Sequence, residues 1–405
     1  MRAMKDSGLP WSTTIPEEWT VKWGKRVLTL MQREVRPDDE VVTCFRDGEV
    51  ILRKLRRTEG FTMSDKEIGY QGINVGDIVI HGMDGFAGAM GISKSKGKGT
   101  PVYVVCTPQD GNFSPYIIYY LRCLAHNDVF LALSTGIRER SCDLKWNKIS
   151  KLPFICPPFT EQQRIATYLD TKCGEIDELI GIQEKFIEEL KAYKQSVITE
   201  TVTKGLNPNA KMKDSGVEWN KEFPEEWNVV KLKYLVNLKS GSNLTSEQIC
   251  DDGKYPVYGG NGLRGFYNDF SNEGNYVLVG RQGALCGNIN YTKGKFWVTE
   301  HALVCYPKCE FVTLWLGELL RAMNLNQYSL SAAQPGLSAE RIMNLYIPVP
   351  PLSEQRSIAT YLDNKCSQID SLIALKQSKI EELKSFKKSL IYEYVTGKET
   401  VPETV

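Results

Sequence analysis

Along two stretches of the chain, apolar residues recur at alternating steps of three and four. In the first the row runs Ile165, Leu169, Ile176, Leu179, Phe186, Leu190, Tyr193, Val197. In the second it runs Ile358, Leu362, Ile369, Leu372, Leu383, Phe386, Leu390. This spacing predicts two long helices with an a/d seam, carrying an occasional Lys or Gln, of the kind that pairs in a coiled coil. The two stretches are copies of one sequence. At an offset of 193, Glu161–Gly205 and Glu354–Lys398 match at 25 of 45 positions without a gap, which marks an internal duplication. Thr160 and Ser353, just after Pro-Pro, are the expected N-caps, with Gln163 completing a capping box in the first copy. Gly205 and Gly397 are the expected stops. Each helix would be roughly 60 Å long and would need a partner along its whole seam. Its own repeat is the obvious one.

A second repeated pair precedes the globular regions. Met4-Lys5-Asp6-Ser7-Gly8, Trp11 and Ile15-Pro16-Glu17-Glu18-Trp19 return as Met212-Lys213-Asp214-Ser215-Gly216, Trp219 and Phe223-Pro224-Glu225-Glu226-Trp227. These lead-ins read as extended anchors that pack an indole on a neighbour. The order is lead-in, globular region, helix, and the same three again. The expected boundaries are lead-in 1–22, globule 23–156, helix 157–206, linker and lead-in 207–228, globule 229–349, helix 350–398 and tail 399–405. In the first globule, Ile73–Ile80 reads as a turn into a buried strand and Pro101–Cys106 as another strand. Pro115–Leu124 reads as a short buried helix. In the second, Tyr276–Gly283 reads as a strand ending in a tight loop.

Composition sets limits. The chain has 405 residues, 42% apolar and 24% charged, enough for more than one core. No run of about 18 apolar residues predicts a membrane span, and the N-terminus lacks a signal-peptide core, so a cytoplasmic setting is expected. Eleven cysteines in a chain this long read as reduced thiols, Cys173 and Cys366 at equivalent helix positions among them. The net charge of +1 does not announce a nucleic-acid binder, although residues 22–150 carry 19 Lys and Arg against 15 Asp and Glu.

Sets of catalytic residues are missing. Gly97-Lys98-Gly99-Thr100 lacks the first glycine of a phosphate-binding loop. Cys156-Pro157-Pro158-Phe159 has Cys where an adenine methyltransferase needs Asn, and Pro37-Asp38-Asp39-Glu40 lacks the lysine of a nuclease site. His81, His126 and His301 are scattered, and Cys305 and Cys309 have no second ligand pair, so no metal site is expected. The chain reads as a non-enzyme. What remains are polar side chains on glycine-rich loops. Arg53, Arg57, Lys94, Lys96 and Lys98 suit phosphate contact. Asn261, Arg264, Arg281 and Gln282 belong to the types that pair with guanine and adenine edges.

Two polar globules joined by two matched helices suggest a ruler holding two readers. The KDSG…W…PEEW lead-ins and the paired Pro-Pro…Glu-Gln…Ile-Ala-Thr-Tyr-Leu-Asp helix starts resemble those of specificity (S) subunits of type I restriction–modification systems. So do Tyr255-Pro256-Val257-Tyr258-Gly259-Gly260 and Val279-Gly280-Arg281-Gln282-Gly283. The resemblance implies an α+β chain with an internal two-fold repeat. Two globular mixed α/β target recognition domains would be separated by two long helices forming an antiparallel coiled coil. Each domain would read one half of a bipartite asymmetric site on double-stranded DNA, and the helices would set the spacer. The helices would also dock two methyltransferase (M) subunits, with two restriction/translocase (R) subunits completing the complex. S-adenosylmethionine, ATP and Mg would bind those partners and not this chain. By similarity with the family's loops, the expected DNA contacts are Asn261, Arg264, Arg281, Gln282 and Gln334 in the second domain and Arg53, Arg57, Lys94, Lys96 and Lys98 in the first. An orphan coiled-coil scaffold without sequence-specific DNA binding is the alternative.

Overall fold

The computed structural model describes residues 2–56, 68–132, 143–217, 219–283, 285–329 and 336–402. Within it the chain forms two compact units. One comprises Met1–Gln183 and Ser378–Val405, the other Glu184–Gln377. The units do not follow the linear order of globule and helix, because each takes part of both long helices.

The strands of the first unit are β1 (Met4–Leu9), β2 (Ser12–Pro16), β3 (Thr20–Trp23), β4 (Leu28–Leu30), β5 (Val42–Cys44), β6 (Val50–Leu52), β7 (Gln71–Ile73), β8 (Ile78–His81), β9 (Met90–Ile92), β10 (Gly97–Gly99), β11 (Tyr103–Pro108) and β12 (Pro153–Cys156). Its short helices are α1 (Ser114–His126), α2 (Val129–Ala132) and α3 (Trp146–Ile149), and α4 (Phe159–Lys204) is the first long helix. The second unit has β13 (Met212–Val217), β14 (Asn220–Pro224), β15 (Asn228–Lys231), β16 (Val236–Ser240), β17 (Tyr255–Gly259), β18 (Gly262–Tyr267), β19 (Asn272–Glu273), β20 (Val277–Gly280), β21 (Ile289–Tyr291), β22 (Lys295–Val298), β23 (Ala302–Pro307) and β24 (Tyr346–Val349). It also has α5 (Thr313–Ala322) and α6 (Ala339–Met343), and α7 (Leu352–Val395) is the second long helix.

The two pairing schemes coincide. The first unit has a sheet ordered β4-β11-β8-β9 and pairs β1-β2, β12-β3, β10-β7 and β5-β6. The second has a sheet ordered β16-β23-β20-β21 and pairs β13-β14 and β15-β24, with β18-β17-β22-β19 as a second sheet. In the first unit the link corresponding to the parallel β17–β22 pair is a single parallel bridge, Val41 to Lys98. Each strand of the first unit thus has a counterpart twelve strands later, although the two globules share little sequence.

The central sheets are buried on both faces, which explains their short continuous apolar runs. Ile78 and Ile80 join the main core with α1 and the helices, while Val79 packs with Val42, Val50 and Tyr103 on the opposite face. In the second unit Val277 and Val279 face Trp315 and Leu319, and Leu278 faces Phe296 and Val298. Adjacent residues point to opposite sides of a strand, so an unbroken apolar triplet is what a doubly covered sheet requires.

The lead-ins are bulged antiparallel hairpins, and their repeated residues have local jobs. Asp6 and Asp214 accept from the amides of Gly8 and Gly216, turning the chain. Lys5 and Lys213 reach back to the carbonyls of Glu17 and Glu225. Trp19 and Trp227 are fully buried, and each indole donates to a glutamate at the start of a long helix. Trp19 Nε1 lies 2.8 Å from Glu161, and Trp227 Nε1 lies 2.9 Å from Glu354.

The helix starts differ from the expected caps. The carbonyl of Pro158 receives the first helical amides, of Glu161 and Gln162, and that of Pro351 receives those of Glu354 and Gln355. Thr160 and Ser353 therefore lie inside the first turn, and no capping box forms with Gln163. The prolines lack an amide of their own, so they can open a helix at no hydrogen-bonding cost. The neighbouring glutamines do the tying. Buried Gln162 donates to Pro157 O and accepts from Phe113 N, and buried Gln355 does the same with Pro350 O and Val312 N.

Within each unit the long-helix segments run antiparallel. In the first, Tyr168 meets Tyr394 and Asp177 pairs with Lys387 at 2.7 Å. In the second, the equivalent Asp370 pairs with Lys194 at 2.6 Å. Of the expected seam residues, Ile165, Leu169, Ile176, Ile358, Leu362 and Ile369 are buried, and Leu190 and Leu383 half-buried. The expectation fails at Leu179, Phe186, Tyr193, Leu372 and Phe386, which are exposed. The buried row passes instead through Ile187 and Ile380, with Gln183 and Lys194 half-buried in it. Two apolar rows lie side by side on each helix, and spacing alone does not say which one faces the partner.

Gly205 and Gly397 end the helices with φ of +75° and +73°. A Cβ on Gly205 would approach Glu354 and the Trp227 ring, and one on Gly397 would run into Pro16 and the Trp19 ring. Gly205→Ala should therefore cost about 1 kcal/mol or more in denaturant unfolding. Gly174→Ala, mid-helix with open space around it, should instead gain about 0.5–1 kcal/mol. Equal effects of the two would show that the Trp-facing helix ends are not constrained.

Candidate nucleic-acid interface

In the second unit one end of the central sheet gathers the polar side chains that the sequence singled out. The C-terminal ends of β16 and β20 and the N-terminal end of β23 lie side by side, since Ser240 pairs with Leu303 and Gly280 with Ala302. Beyond that edge Arg281 N donates to His301 O at 2.8 Å, and Leu337 N donates to Arg281 O at 2.9 Å. Arg281 Nη1 reaches Ser240 Oγ at 3.3 Å. Gln282 Oε1 lies 2.8 Å from His301 Nδ1, whose ring on its other side approaches Glu300 at 3.3 Å. Asn288 donates to Asn261 at 3.1 Å. Gly260 must be glycine, because a Cβ there would press on the carbonyls of His301 and Gln282.

Asn261, Arg281 and Gln282 thus come together on adjacent loops, and Arg264 is exposed on the neighbouring β18. Gln334 lies outside the described residues. Ser240, Asn288, Glu300 and His301 join the cluster without having been chosen from the sequence. Their only signal is strand register, which is not visible before the sheet is known.

The first unit is arranged differently. Arg53 donates to Thr43 Oγ1 at 3.1 Å beside the β5–β6 hairpin, and Lys94 N bonds Val50 O. Lys94 pairs with Glu49 at 3.4 Å, Lys54 with Glu40 at 2.7 Å and Arg56 with Asp47 at 2.6 Å. The Arg56 contact holds the Asp47 carboxyl below its usual range. Lys96 is exposed and Lys98 sits on β10, while Arg57 lies outside the described residues. At the end of β8 stand His81, Asp84 and Arg46, none of them picked out beforehand. Arg46 pairs with Asp84 at 2.9 Å, and His81 Nδ1 accepts from Asp84 N at 3.0 Å. Burial pushes the His81 imidazole below its usual range, and Arg46 adds to the shift. Cys305 is buried in the sheet, where burial pushes its thiol up to about 12.

These polar, glycine-supported loops offer hydrogen-bonding edges and cations. Among the described residues no cluster of three or more His, Cys, Asp or Glu could hold a metal. No helix there is long and apolar enough to cross a membrane.

Residues 224–385, including the loop cluster and most of the second long helix, match the type I restriction modification DNA specificity domain. Over that span the chain is similar to the specificity subunits of type I restriction–modification systems. The EcoprrI specificity subunit of Escherichia coli is 36% identical over 149 residues, 36% of this chain and 37% of that one. The MjaVIII specificity subunit of Methanocaldococcus jannaschii is 26% identical, covering 70% of this chain and 69% of its own. The putative MjaX subunit of the same organism is 24% identical, covering 95% of this chain and 94% of its own. The chain therefore spans little more than a third of the EcoprrI subunit but nearly all of the MjaX subunit.

Solved specificity subunits share the fold. A chain from a study of type I R-M complex assembly and conformational transition superposes with a TM-score of 0.73 at 15% identity, over 95% of this chain and 99% of that one. The HsdS subunit of Thermoanaerobacter tengcongensis gives 0.54 at 16% identity, over 95% and 98%.

In a specificity subunit the Lys94 and Lys96 side chains would be phosphate contacts. Lys94→Ala and Lys96→Ala should each weaken binding to all duplexes about equally and lower the salt slope by about 1. A change in sequence preference in a salt titration would contradict that assignment.

Proposed function

We propose that the chain is the non-catalytic reader of a type I restriction–modification complex. Each unit's globular domain reads one half of a split, asymmetric DNA site. The long helices set the unread spacer and dock M subunits, and R subunits complete the restriction complex. S-adenosylmethionine, ATP and magnesium bind those partners, which carry out adenine methylation and cleavage. The observation that carries this reading is the coincidence of two strand-pairing schemes under unlike loop surfaces. One scaffold displaying two different polar edges suits two different half-sites, which makes the whole site asymmetric.

The misplaced seam residues suit the docking role. Leu179 and Ile182 with Phe386 in the first unit, and Leu372 and Leu375 with Tyr193 in the second, are exposed at equivalent positions. Residues 179, 182, 186 and 193 follow steps of three, four and seven, a continuous row beside the buried one. Two equal apolar rows fit two copies of one partner, since paired symmetric sites favour identical subunits.

Methylation mapping of DNA from cells carrying this chain, with and without its methyltransferase, tests the reading. A motif of two short blocks around a fixed gap, methylated on adenine, is expected only with both proteins present. No motif, with the methyltransferase active beside another specificity subunit, would leave a scaffold without a DNA role. Arg281→Ala should weaken specific binding by about 1–3 kcal/mol and relax one base position. Leu179→Glu with Leu372→Glu should abolish co-purification of the methyltransferase without lowering the chain's own melting temperature. Retained co-purification would remove the exposed rows from the docking surface.

A further inference from the structure

The loop cluster of the second unit contains one side chain whose hydrogen-bonding edge is already half committed. Gln282 is exposed, yet its Oε1 lies 2.8 Å from His301 Nδ1. For that contact to be a hydrogen bond, the ring carries its proton on Nδ1 and donates to the amide oxygen. On the other ring edge Nε2 stands 3.3 Å from Glu300 Oε1. The backbone beneath is fixed as well. Arg281 N donates to His301 O at 2.8 Å, and Ser240 Oγ donates to Glu300 O at 3.0 Å. Gln282 itself forms a bridge to Gly336, and Gly260 packs against the Gln282 and His301 carbonyls. An exposed glutamine on a surface loop ordinarily samples many rotamers, and ordering one costs up to about 2 kcal/mol of side-chain entropy. Here a histidine holds it before any ligand arrives.

We propose that Gln282 is a base-reading side chain of the second half-site and that His301 is its positioning residue. This rests on the reading of the second domain as a DNA binder. Once Oε1 has accepted from His301, the amide still offers both Nε2 hydrogens and one oxygen lone pair. The leading edge is therefore the donor. In the major groove it meets the N7 acceptor of a purine, and the remaining lone pair accepts from N6 of adenine. The second half-site accordingly contains a purine, adenine preferred, at the position Gln282 reaches.

The test is methylation mapping on genomic DNA by the complex of this chain with its methyltransferase, repeated with Gln282→Ala, Gln282→Glu, His301→Ala and His301→Gln. Gln282→Ala and His301→Ala should both relax the same single position of one block, with about a tenfold loss of discrimination. All other positions and the other block should stay intact. Gln282→Glu, which presents acceptors only, should move that position toward cytosine, whose N4 is a donor. His301→Gln keeps a donor beside Oε1 and should restore part of the preference. A wild-type complex with no split motif overturns the DNA-reading function, and this assignment with it. A wild-type motif that the Gln282 variants leave unchanged overturns the assignment alone. So does relaxation at different positions by Gln282→Ala and His301→Ala, or a uniform loss across all sequences. Gln282 is exposed, so its two variants keep the test decisive even if a His301 variant fails to fold.

Discussion

Each unit closes on a buried indole. Trp19 sits between the glutamate that opens one long helix and the glycine that ends the other, and Trp227 occupies the same position in its own unit. The contact joins three segments far apart in sequence with one side chain. The indole brings a large apolar surface and a single donor, and the glutamate accepts that donor while favouring the positive end of the helix. Only a residue without Cβ can end the opposing helix against the ring, and its left-handed turn is open to glycine at little cost. In the first unit Arg2 adds a charge-assisted pair to Glu161 at 2.5 Å. The glutamines beside these glutamates then tie each helix start to its globular domain.

Around that clasp the scaffold is repeated and the surface is not. The central sheets share strand order and two-sided burial, since their side chains answer only to packing. Core positions accept any apolar set of suitable volume and pattern, and so the two globules diverged in sequence while keeping one topology. Their polar edges diverged in chemistry too. In the second unit amides and an arginine cluster at the sheet end, whereas in the first a histidine, an aspartate and an arginine hold one another. The core and the polar edge thus draw on different residues of the same strands.

The long helices show the same division. The row that buries itself includes half-buried Gln183 and Lys194, and the adjacent exposed row is apolar. Lys194 manages this by laying its stem along the seam while its ammonium reaches Asp370. Surface ion pairs of this kind contribute at most about 1 kcal/mol each, so the buried aliphatic residues carry the pairing and the charges set its register.

The sequence by itself determined the duplication, the two long helices, the glycine stops and the lead-in anchors. These follow from local spacing and from motifs whose residues act on near neighbours. It also pointed to Arg281, Gln282 and Asn261, because glycine-rich loops bearing such side chains are recognisable one at a time. Only the tertiary structure decided which of two adjacent apolar rows is buried, since that depends on where the partner helix lies. It alone revealed that the first globule repeats the second, because pairing order leaves no trace in residue identity. And it alone set His301 against Gln282, a contact that the register of β20 and β23 creates between residues nineteen positions apart.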